Sequence, residues 1–333
     1  MDLTPDNPPR RTVRLGPGSE FDRIRGFIAR GAPVPNSVRV GPGDDAAVLE
    51  GGWVVSTDVA VEDVHFRRAW LSDREIGYRA AMAALSDLAA VAAEPVGLFV
   101  SLAVSGGDAV ADEVHRGIEE AAYEVGAAVL GGDLSRSPGP LFVDITALGR
   151  TPWPILRNGA EPKDEVWVTG RLGGSATAVH AWRAGEEPSP EARAAFARPQ
   201  ARLQEALCLA EQETVDALID LSDGLAGDAG HLAAASGVRI VLDESAIPIA
   251  PAALESLGPE EALRAALHGG EDYELCFVTD PGVMDPAGFE SRFGVPVTRI
   301  GVVEDGEGVW LRREWGSPER LDHGGFDHFG DDA

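Results

Sequence analysis

Lysine is almost missing from this 333-residue sequence, because Lys163 is the only one among 28 basic residues. A Walker A loop requires a lysine directly after its glycines, and no lysine stands in such a position, so that phosphate-binding loop is excluded. A lysine Schiff base and a lysine of the protein-kinase type are disfavoured for the same reason. Any phosphate that this protein binds is therefore held by arginine, by backbone N–H groups or by a metal ion.

Cysteine, histidine motifs and long apolar runs are scarce as well. The two cysteines form no CxxC pair, which excludes a disulfide framework and a structural zinc site. The sequence has no HExxH for a catalytic zinc and no GxSxG for a serine hydrolase. The most apolar stretch, residues 80–104, contains Asp87, Glu94 and Pro95, so we expect no membrane span. Residues 1–17 lack the apolar core of a signal peptide, and we expect a disordered arm there and a cytoplasmic protein.

Basic residues are also few compared with acidic ones. The chain has 28 Lys and Arg against 55 Asp and Glu, which gives a formal net charge of −27. Nucleic acids and anionic membranes attract basic surfaces, so we expect neither as a partner. An acidic protein still binds phosphate compounds when divalent cations mediate the contact.

Predicted strands and helices alternate along the chain, which indicates the α/β (α+β) class. Turn-forming residues are frequent in residues 151–164, TPWPILRNGAEPKD, and we place a domain boundary there. This boundary divides the chain into residues 18–150 and residues 151–333. Near the C terminus, residues 297–303 and 308–312 have strand patterns on either side of the turn EDGEG, which predicts a β-hairpin.

Aspartate recurs at the ends of predicted strands and in glycine turns, next to small residues. The segments are GPGDDAAV (41–48), STD (56–58), LSDLAA (85–90), GGD (131–133) and DLSDGLAGD (220–228). Mg²⁺ takes oxygen ligands, typically one or two carboxylates together with phosphate oxygens of a substrate. The neighbouring glycines let backbone N–H groups approach a phosphate closely. Each segment alone is typical of a turn, but the five together favour a magnesium and phosphate site.

Individual residues support this hypothesis to different degrees. Asp87 lies in the apolar helical pattern AAMAALSDLAAVAA, where a charge needs a partner and a metal ion is one. The polar triplet 56–58 ends a buried strand, which directs it to the edge of the sheet. Taken alone, VEDVHF favours a core histidine at His65, and GGEDYEL favours a solvated turn at Glu271 and Asp272.

In their order, these motifs resemble the thiamine-monophosphate kinases, within the PurM-like (aminoimidazole-ribonucleotide-synthetase-like) ATP-binding superfamily. The motifs that carry the likeness are SEF, VGPGDDAAV, STDVAVEDVHF, ALSDLAAVAAEP, LGGDLSRS, LRNGAEPKDEVWVTGRLGGSA, ARPQAR, DLSDGLAGDAGHLA, HGGEDYELCF, EDGEGVW and FDHF. They span about residues 18–330, and the ordered set is far more specific than any one motif. The resemblance implies phosphoryl transfer from ATP to thiamine monophosphate, giving thiamine diphosphate and ADP.

The resemblance also implies an architecture and partners. It implies a two-domain PurM-like fold, in which an N-terminal mixed-sheet domain at 18–150 binds ATP and Mg²⁺ and dimerises, and a C-terminal α/β domain occupies 151–333. The expected protein is a homodimer that uses several Mg²⁺ ions, with ATP as co-substrate. Because the acceptor is already a phosphate oxyanion, no general base is required, and we expect direct in-line transfer without a phosphoenzyme.

Matching positions imply the roles of individual residues. The Mg²⁺ ligands would be Asp45, Ser56, Thr57, Asp58, Asp87, Asp133, Asp220 and Asp223. The ATP contacts would be Gly132, Arg157 and Ser222. Arg157 is expected to clamp phosphate oxygens bidentately, and Asp44 to assist its neighbour. His65 and Glu271 would hold thiamine monophosphate, with Glu271 near its positively charged organic part.

One departure from the family lies near the C terminus. Family members often carry an aromatic residue, commonly Trp, just before the terminal segment, where it stacks on the substrate. This chain has HGGFDHF there, so the stacking role falls to His323 or Phe326, and the sequence leaves both open.

Three rival functions stay open at this point. Another PurM-like ATP-dependent synthetase is one, although selenophosphate synthetase needs an N-terminal Cys or selenocysteine and none precedes Cys208. The hydrogenase-maturation relative ends in a cysteine-bearing tail, whereas this chain ends FGDDA. A non-catalytic nucleotide- or metal-binding regulator would be expected to lack a carboxylate of the set, and all are present. A metal-dependent phosphohydrolase would release phosphate without any acceptor.

Overall fold

The computed structural model describes residues 13–211 and 214–321, which contain nine α-helices and thirteen β-strands in two sheets. The helices are α1 (Ser19–Arg30), α2 (Asp73–Ala90), α3 (Asp108–Glu124), α4 (Gly174–Arg183), α5 (Pro190–Ala197), α6 (Leu203–Ala210), α7 (Leu225–Ser236), α8 (Pro251–His268) and α9 (Pro286–Phe293). The strands are β1 (Val38–Val40), β2 (Ala47–Leu49), β3 (Trp53–Val61), β4 (Glu94–Val104), β5 (Val129–Arg136), β6 (Phe142–Arg150), β7 (Glu165–Thr169), β8 (Val215–Asp220), β9 (Arg239–Asp243), β10 (Leu275–Thr279), β11 (Val297–Glu304), β12 (Gly308–Arg312) and β13 (Glu319–Arg320). These layers confirm the predicted α/β (α+β) class.

The first sheet has the strand order β1-β2-β3-β6-β4-β5. β4 and β5 run parallel, whereas the other neighbouring pairs are antiparallel. Helices α2 and α3 cover one face of this sheet and cross each other closely. A Cβ atom on Gly77 of α2 would lie 1.9 Å from the carbonyl oxygen of Val114, so only glycine permits this crossing.

The opposite face of the first sheet is open. Side chains alternate between buried and exposed along β6, the pattern of a strand that packs on one face only. Phe99, Phe142, Val59 and Trp53 project from the open face, and Phe99 is 44% exposed. Several large apolar side chains are therefore exposed together on this face of the sheet.

The second sheet has the order β13-β12-β9-β11-β7-β10-β8, and all five residues of β10 are buried. Alternate residues of its strands face different layers. Val168 and Cys276 pack in the core formed with α7, whereas Trp167 and Phe277 pack in the core that contains α2. Helix α2 therefore lies between the two sheets, which explains why it is buried on almost every side and not along one stripe.

The predicted hairpin between residues 297–303 and 308–312 is wrong. Both strands exist, but β9 lies between them, antiparallel to β11 and parallel to β12. The apolar residues 240–242 of β9 are buried, and pairing on both edges satisfies the backbone N–H and C=O groups of this strand. A hairpin between β11 and β12 would leave one edge of β9 without a partner.

Two further expectations concern the N terminus and the membrane. Of the arm expected at residues 1–17, the structure describes residues 13–17, and Val13 is only 3% exposed. A Cβ atom on Gly43 would lie 2.3 Å from the carbonyl oxygen of Val13, so this part of the arm packs closely against the loop before β2. Among the described residues, no helix has both the length and the apolar character to cross a bilayer.

Candidate active site

Three aspartates from distant parts of the chain meet between the two sheets. Asp45 lies in the loop between β1 and β2, Asp87 in α2, and Asp220 at the end of β8. Their carboxylate oxygens lie within 4.8 Å of one another. We call these residues the central triad. An all-oxygen donor set of this size suits a hard divalent cation such as Mg²⁺.

Burial and mutual repulsion destabilise the ionised carboxylates of the central triad. Burial, followed by the charges of Asp220 and Asp58, raises the pKa of Asp87 well above its usual value. Burial and the charge of Asp45 raise the pKa of Asp220 to about 7. Positive charge placed among these carboxylates would remove the repulsion, so the donor set fits a metal ion.

Two serine hydroxyls stabilise the carboxylates of the triad. The hydroxyl of Ser56 on β3 donates to the Asp87 carboxylate. The hydroxyl of Ser86 on α2 donates to Oδ2 of Asp220 at 2.6 Å, which joins the N-terminal half of the chain to β8. Sequence reasoning found Ser56 but missed Ser86, although Ser86 stands directly before Asp87.

Arg157, the expected phosphate clamp, faces the triad. Its guanidinium forms a bidentate pair with Asp45, with Nε–Oδ2 and Nη2–Oδ1 distances of 2.8 and 2.6 Å. The backbone N–H of Arg157 donates to Oδ2 of Asp44 at 3.1 Å. Burial, followed by the charge of Asp45, raises the pKa of Asp44 to about 7. In this arrangement Arg157 orients the loop that carries Asp45. Its contact with ATP phosphates stays a prediction.

The triplet 56–58 lies in the middle of β3, so the prediction that it ends a strand is wrong. Successive side chains of a strand face opposite sides of the sheet, so the three residues point in different directions. Ser56 faces α2, and Asp58 lines the cavity described below. The Thr57 hydroxyl instead donates to Oδ1 of Asp144 at 3.2 Å on the open face. The structure therefore does not bring the Thr57 side chain to the central triad.

The GGD segment also lies apart from the triad. β5 runs from Val129 to Arg136, so Gly132 and Asp133 lie within a strand and not at a strand end or in a glycine turn as predicted. Asp133 is exposed and pairs in register with Ser101, and β4 and β6 separate it from β3. A Cβ on Gly132 would lie 1.8 Å from the Val100 carbonyl oxygen, so glycine is required by the packing of the strand itself. The roles of both residues in binding Mg²⁺ and ATP stay predictions.

The loop that follows β8 carries Ser222 and Asp223 and is fixed by a residue that sequence reasoning missed. Oδ2 of Asp228 in α7 accepts hydrogen bonds from the N–H groups of Asp223 and Gly224, both at 3.1 Å. The signal was present, because an aspartate in the first turn of a helix often binds the free N–H groups of that turn. Asp223 and Asp228 lie with His231 in a second group of close donor atoms.

A cavity of about 950 Å³ opens beside the triad, and the two predicted substrate residues line it together. His65 and Glu271 come from opposite halves of the chain, and Asp58, Ser222 and Asp223 line the same cavity. The Val61 N–H donates to Nδ1 of His65 at 3.0 Å, which leaves Nε2 as the donor nitrogen of the neutral ring. This volume is within the range of small-molecule binding sites.

Glu271 is held by an arginine that the sequence did not reveal. The Arg79 guanidinium, on α2, forms an ion pair with Glu271, donates to the carbonyl oxygen of Phe196 at 2.6 Å, and stacks over the Phe196 ring. The side chain of Arg79 is only 5% exposed, and the hydroxyl of Tyr273 donates to Glu271 at 3.2 Å. Arg79 therefore fixes the Glu271 carboxylate at the cavity wall.

The backbone around Glu271 is strained. Glu271 and Tyr273 have φ angles of 63° and 51°, a left-handed conformation that non-glycine residues rarely adopt. Their N–H groups donate to the carbonyl oxygens of Ser222 and Leu221 at 2.7 and 2.9 Å. These bonds tie the GGEDYEL loop to the loop after β8, and strain held in this way is typical of functional sites. The solvated-turn interpretation of Glu271 is therefore wrong.

The stacking residues expected at the C terminus, His323 and Phe326, lie outside the described residues.

Similarity to known proteins extends over nearly the whole chain. Residues 43–151 match the family model described as AIR synthase related protein, N-terminal domain, and residues 161–312 match its C-terminal domain. A curated thiamine-monophosphate kinase from Rhodopirellula baltica is 39% identical over 87% of this chain and 92% of its own. A crystal structure of thiamine-monophosphate kinase from Stenotrophomonas maltophilia has 32% identity and a TM-score of 0.73, covering 89% of this chain and 96% of its own. The structure of AaThiL complexed with AMPPCP and TMP has 28% identity and a TM-score of 0.78, covering 94% and 97%.

Proposed function

This chain belongs to the thiamine-monophosphate kinase family, and on that premise we propose how its site transfers the γ-phosphoryl group of ATP to thiamine monophosphate. The protein is a phosphotransferase, and its products are thiamine diphosphate and ADP. The observation that carries the proposal is a single cavity that joins carboxylates for metal-bound phosphate with His65 and Glu271 for the acceptor. AMPPCP and TMP, the two ligands of the AaThiL complex, correspond to the two substrates.

We propose that the central triad, with Ser56, holds Mg²⁺. The three carboxylates lie within 4.8 Å of one another, and the single positive charge of Arg157, paired with Asp45, does not offset all three, so bound phosphates need further positive charge from solution. When bound, Mg²⁺ ions would neutralise the charge of both phosphate substrates and of the transition state. The remaining expected ligands are Asp58 and Asp223, which line the cavity, and Thr57 and Asp133, which lie on the open face.

The protein's own residues position the two phosphate groups. Arg157 keeps Asp45 oriented and is proposed to share its guanidinium with ATP phosphates, together with Ser222 and Gly132. His65 and Glu271 hold the acceptor, with Glu271 near its positively charged organic part. The acceptor oxygen is already anionic, so no side chain has to remove a proton, and transfer is direct and in line.

We also propose that the chain forms a homodimer through the open face of the first sheet. Phe99, Phe142, Val59 and Trp53 give this face an apolar surface that water contacts unfavourably. The proposal keeps residues 18–150 and 151–333 as the two domains, with the first carrying the dimer surface. Light scattering after size exclusion should give the mass of two chains for the wild type.

The dimer is tested by two substitutions that each introduce a negative charge, one on the open face and one away from it. Phe99→Asp should give the mass of one chain, because a carboxylate cannot be buried unpaired in an apolar interface. Tyr123→Asp is the matched control, since Tyr123 is 85% exposed on α3, on the covered side of the sheet. A wild-type protein with the mass of one chain would contradict the proposal.

Activity is tested by ADP release with ATP, Mg²⁺ and thiamine monophosphate, with thiamine as a parallel acceptor. ADP formed only with the monophosphate, together with thiamine diphosphate detected by chromatography, is the expected result. Equal ADP release without any acceptor would instead identify a phosphohydrolase. ATP binding in calorimetry without ADP release would identify a regulator or a related synthetase.

A further inference from the structure

An aromatic cluster forms one wall of the substrate cavity. Trp70 lines the cavity and stacks on Trp182, with ring centroids 5.1 Å apart and planes 9° from parallel. Phe196 packs edge-on against both rings, at 6.4 and 5.5 Å. The Trp70 ring therefore has a fixed plane at the cavity wall, supported from behind by two other aromatic side chains.

The backbone that carries Trp70 is also fixed. The N–H of Trp70 donates to the carbonyl oxygen of Arg67 at 2.9 Å, which closes a turn directly before α2. Ser72 then begins α2 with a capping box, in which its hydroxyl and the Glu75 side chain each accept from the other's N–H. A ring placed in this way binds a ligand without a large loss of side-chain entropy.

A cation already lies over this ring. The Arg67 guanidinium carbon is 4.8 Å from the Trp70 ring centroid, within the distance of a cation–π interaction. Arg67 is exposed and lines the cavity, so its side chain can leave the ring for solvent. The neighbouring Arg68 is anchored instead by Asp73 at 3.0 Å and by the Ser105 carbonyl oxygen at 3.2 Å.

The cavity wall carries both kinds of group that the acceptor requires. Asp58 and Asp223, two proposed metal ligands, lie on its wall, as do Trp70 and Arg67. Thiamine monophosphate has a phosphate at one end and a cationic thiazolium joined to an aminopyrimidine at the other. A molecule that places its phosphate near the metal ligands can place its charged heteroaromatic part against the tryptophan.

We propose that Trp70 is a specificity-determining residue, whose ring stacks on the cationic heteroaromatic part of thiamine monophosphate in the place that Arg67 now occupies. The inference rests on the proposed function, since it assigns one more contact in the same site. Trp70 would be an aromatic contact in addition to His323 or Phe326, the stacking residues expected near the C terminus. Arg67 acts as a competitor that covers the ring while the acceptor is absent.

The first test compares Trp70→Ala with Trp70→Phe and with Trp315→Ala, whose indole is 84% exposed and does not line the cavity. Trp70→Ala should raise the KM for thiamine monophosphate about tenfold, the scale of one lost stacking contact, and change the KM for ATP less than about twofold. Trp70→Phe keeps an aromatic face and should retain most of the affinity. An unchanged KM in Trp70→Ala would overturn the inference.

The second test uses the arginines. Arg67→Ala should lower the KM for thiamine monophosphate, because it removes a competitor, whereas Arg68→Ala, the matched control beside it, should leave this KM unchanged. A KM that is unchanged or raised in Arg67→Ala would overturn the competitor role. A wild-type enzyme that forms no thiamine diphosphate would overturn the proposed function itself, which separates the two failures.

A third measurement keeps the inference testable if Trp70→Ala does not fold. Thiamine monophosphate added to the wild-type protein with Mg²⁺ and a non-hydrolysable ATP analogue should quench tryptophan fluorescence. The excited indole donates an electron to the stacked thiazolium cation, and the electron returns to the indole without emission. Trp70→Phe should lose most of this quenching while it still binds the ligand in calorimetry. Equal quenching in both proteins would overturn the stacking contact.

Discussion

Two groups of three aspartates in this protein have similar geometry and different surroundings. The first is the central triad. The second, which we call the peripheral triad, consists of Asp164, Asp216 and Asp280, and its carboxylate oxygens also lie within 4.8 Å of one another. Carboxylate spacing alone therefore does not identify the proposed metal site.

The difference lies in where the members come from and what they contact. The central triad joins a loop, a buried helix and a strand end, and it receives hydrogen bonds from Ser56 and Ser86 and an ion pair from Arg157. The peripheral triad lies at one end of the second sheet, where β7 begins, β8 begins and β10 ends. Asp164 accepts from the Glu161 N–H at 2.7 Å and belongs to a local turn. Oriented donors and a neighbouring cavity distinguish the central triad from the peripheral one and support it as the proposed metal site.

The largest effect is expected from Asp87→Asn. This change removes one negative ligand of the proposed Mg²⁺ site, and we expect kcat to fall about a thousandfold or more, equivalent to about 4 kcal/mol of transition-state stabilisation. The coupled ADP assay at saturating substrates measures it. Asp216→Asn, the corresponding change in the peripheral triad, should keep wild-type activity. Comparable losses in both variants would remove the distinction between the triads.

Arg79→Met tests how the cavity beside the central triad is held. Without the guanidinium, Glu271 loses its ion pair and its fixed position, so we expect the KM for thiamine monophosphate to rise about twentyfold. Removing one partner of a buried pair should also lower the free energy of unfolding by about 3 kcal/mol. Arg79→Lys should recover part of both effects. Arg193→Met, which breaks the more exposed pair with Glu75, is the control and should leave this KM unchanged.

Ser86→Ala tests the donors that distinguish the central triad. The hydroxyl donates to Asp220 at 2.6 Å, and a hydrogen bond to a charged group is worth about 1.5 kcal/mol. We expect the Mg²⁺ concentration for half-maximal activity to rise about tenfold, with little change in kcat at saturating Mg²⁺. Ser245→Ala, at an exposed position between β9 and α8, is the matched control and should behave as the wild type. A Mg²⁺ dependence that does not move in Ser86→Ala would show that the donor is dispensable.

The smallest effect is expected from Asp216→Asn on stability. Burial, followed by the charges of Asp164 and Asp280, raises the pKa of Asp216 from 3.8 to about 6 in the folded protein. A raised folded-state pKa favours folding at low pH, and this contribution is lost as the pH rises from about 4 to about 6. After discounting for solvent screening, Asn should stabilise the protein by about 1 kcal/mol at pH 8 and by almost nothing at pH 4. Urea unfolding at the two pH values measures the free energy of unfolding. An equal increase at both pH values would show that the ionised Asp216 does not destabilise the folded protein.

Part of the site was readable in the sequence because it depends on local chemistry. Asp87 is conspicuous as a charge within an apolar helical pattern, and Asp45 and Asp220 stand in turn motifs at strand ends. Arg79 and Trp70 gave no such signal. An arginine in a helix and a tryptophan before one are ordinary, and Glu271, the partner of Arg79, lies 192 residues further along the chain (271 − 79).

The sequence alone determined the α/β class and singled out Asp45, Asp87 and Asp220, because these follow from hydrophobic period, turn residues and charge near the position itself. Only the tertiary structure decided that β9 separates β11 from β12, that Thr57 faces away from the central triad, and that Arg79 holds Glu271. Each of these depends on competition between distant segments for the same strand edge or the same buried charge. Such competition is settled by packing of the whole chain, since a strand edge or a buried guanidinium accepts whichever partner the fold brings within hydrogen-bond distance.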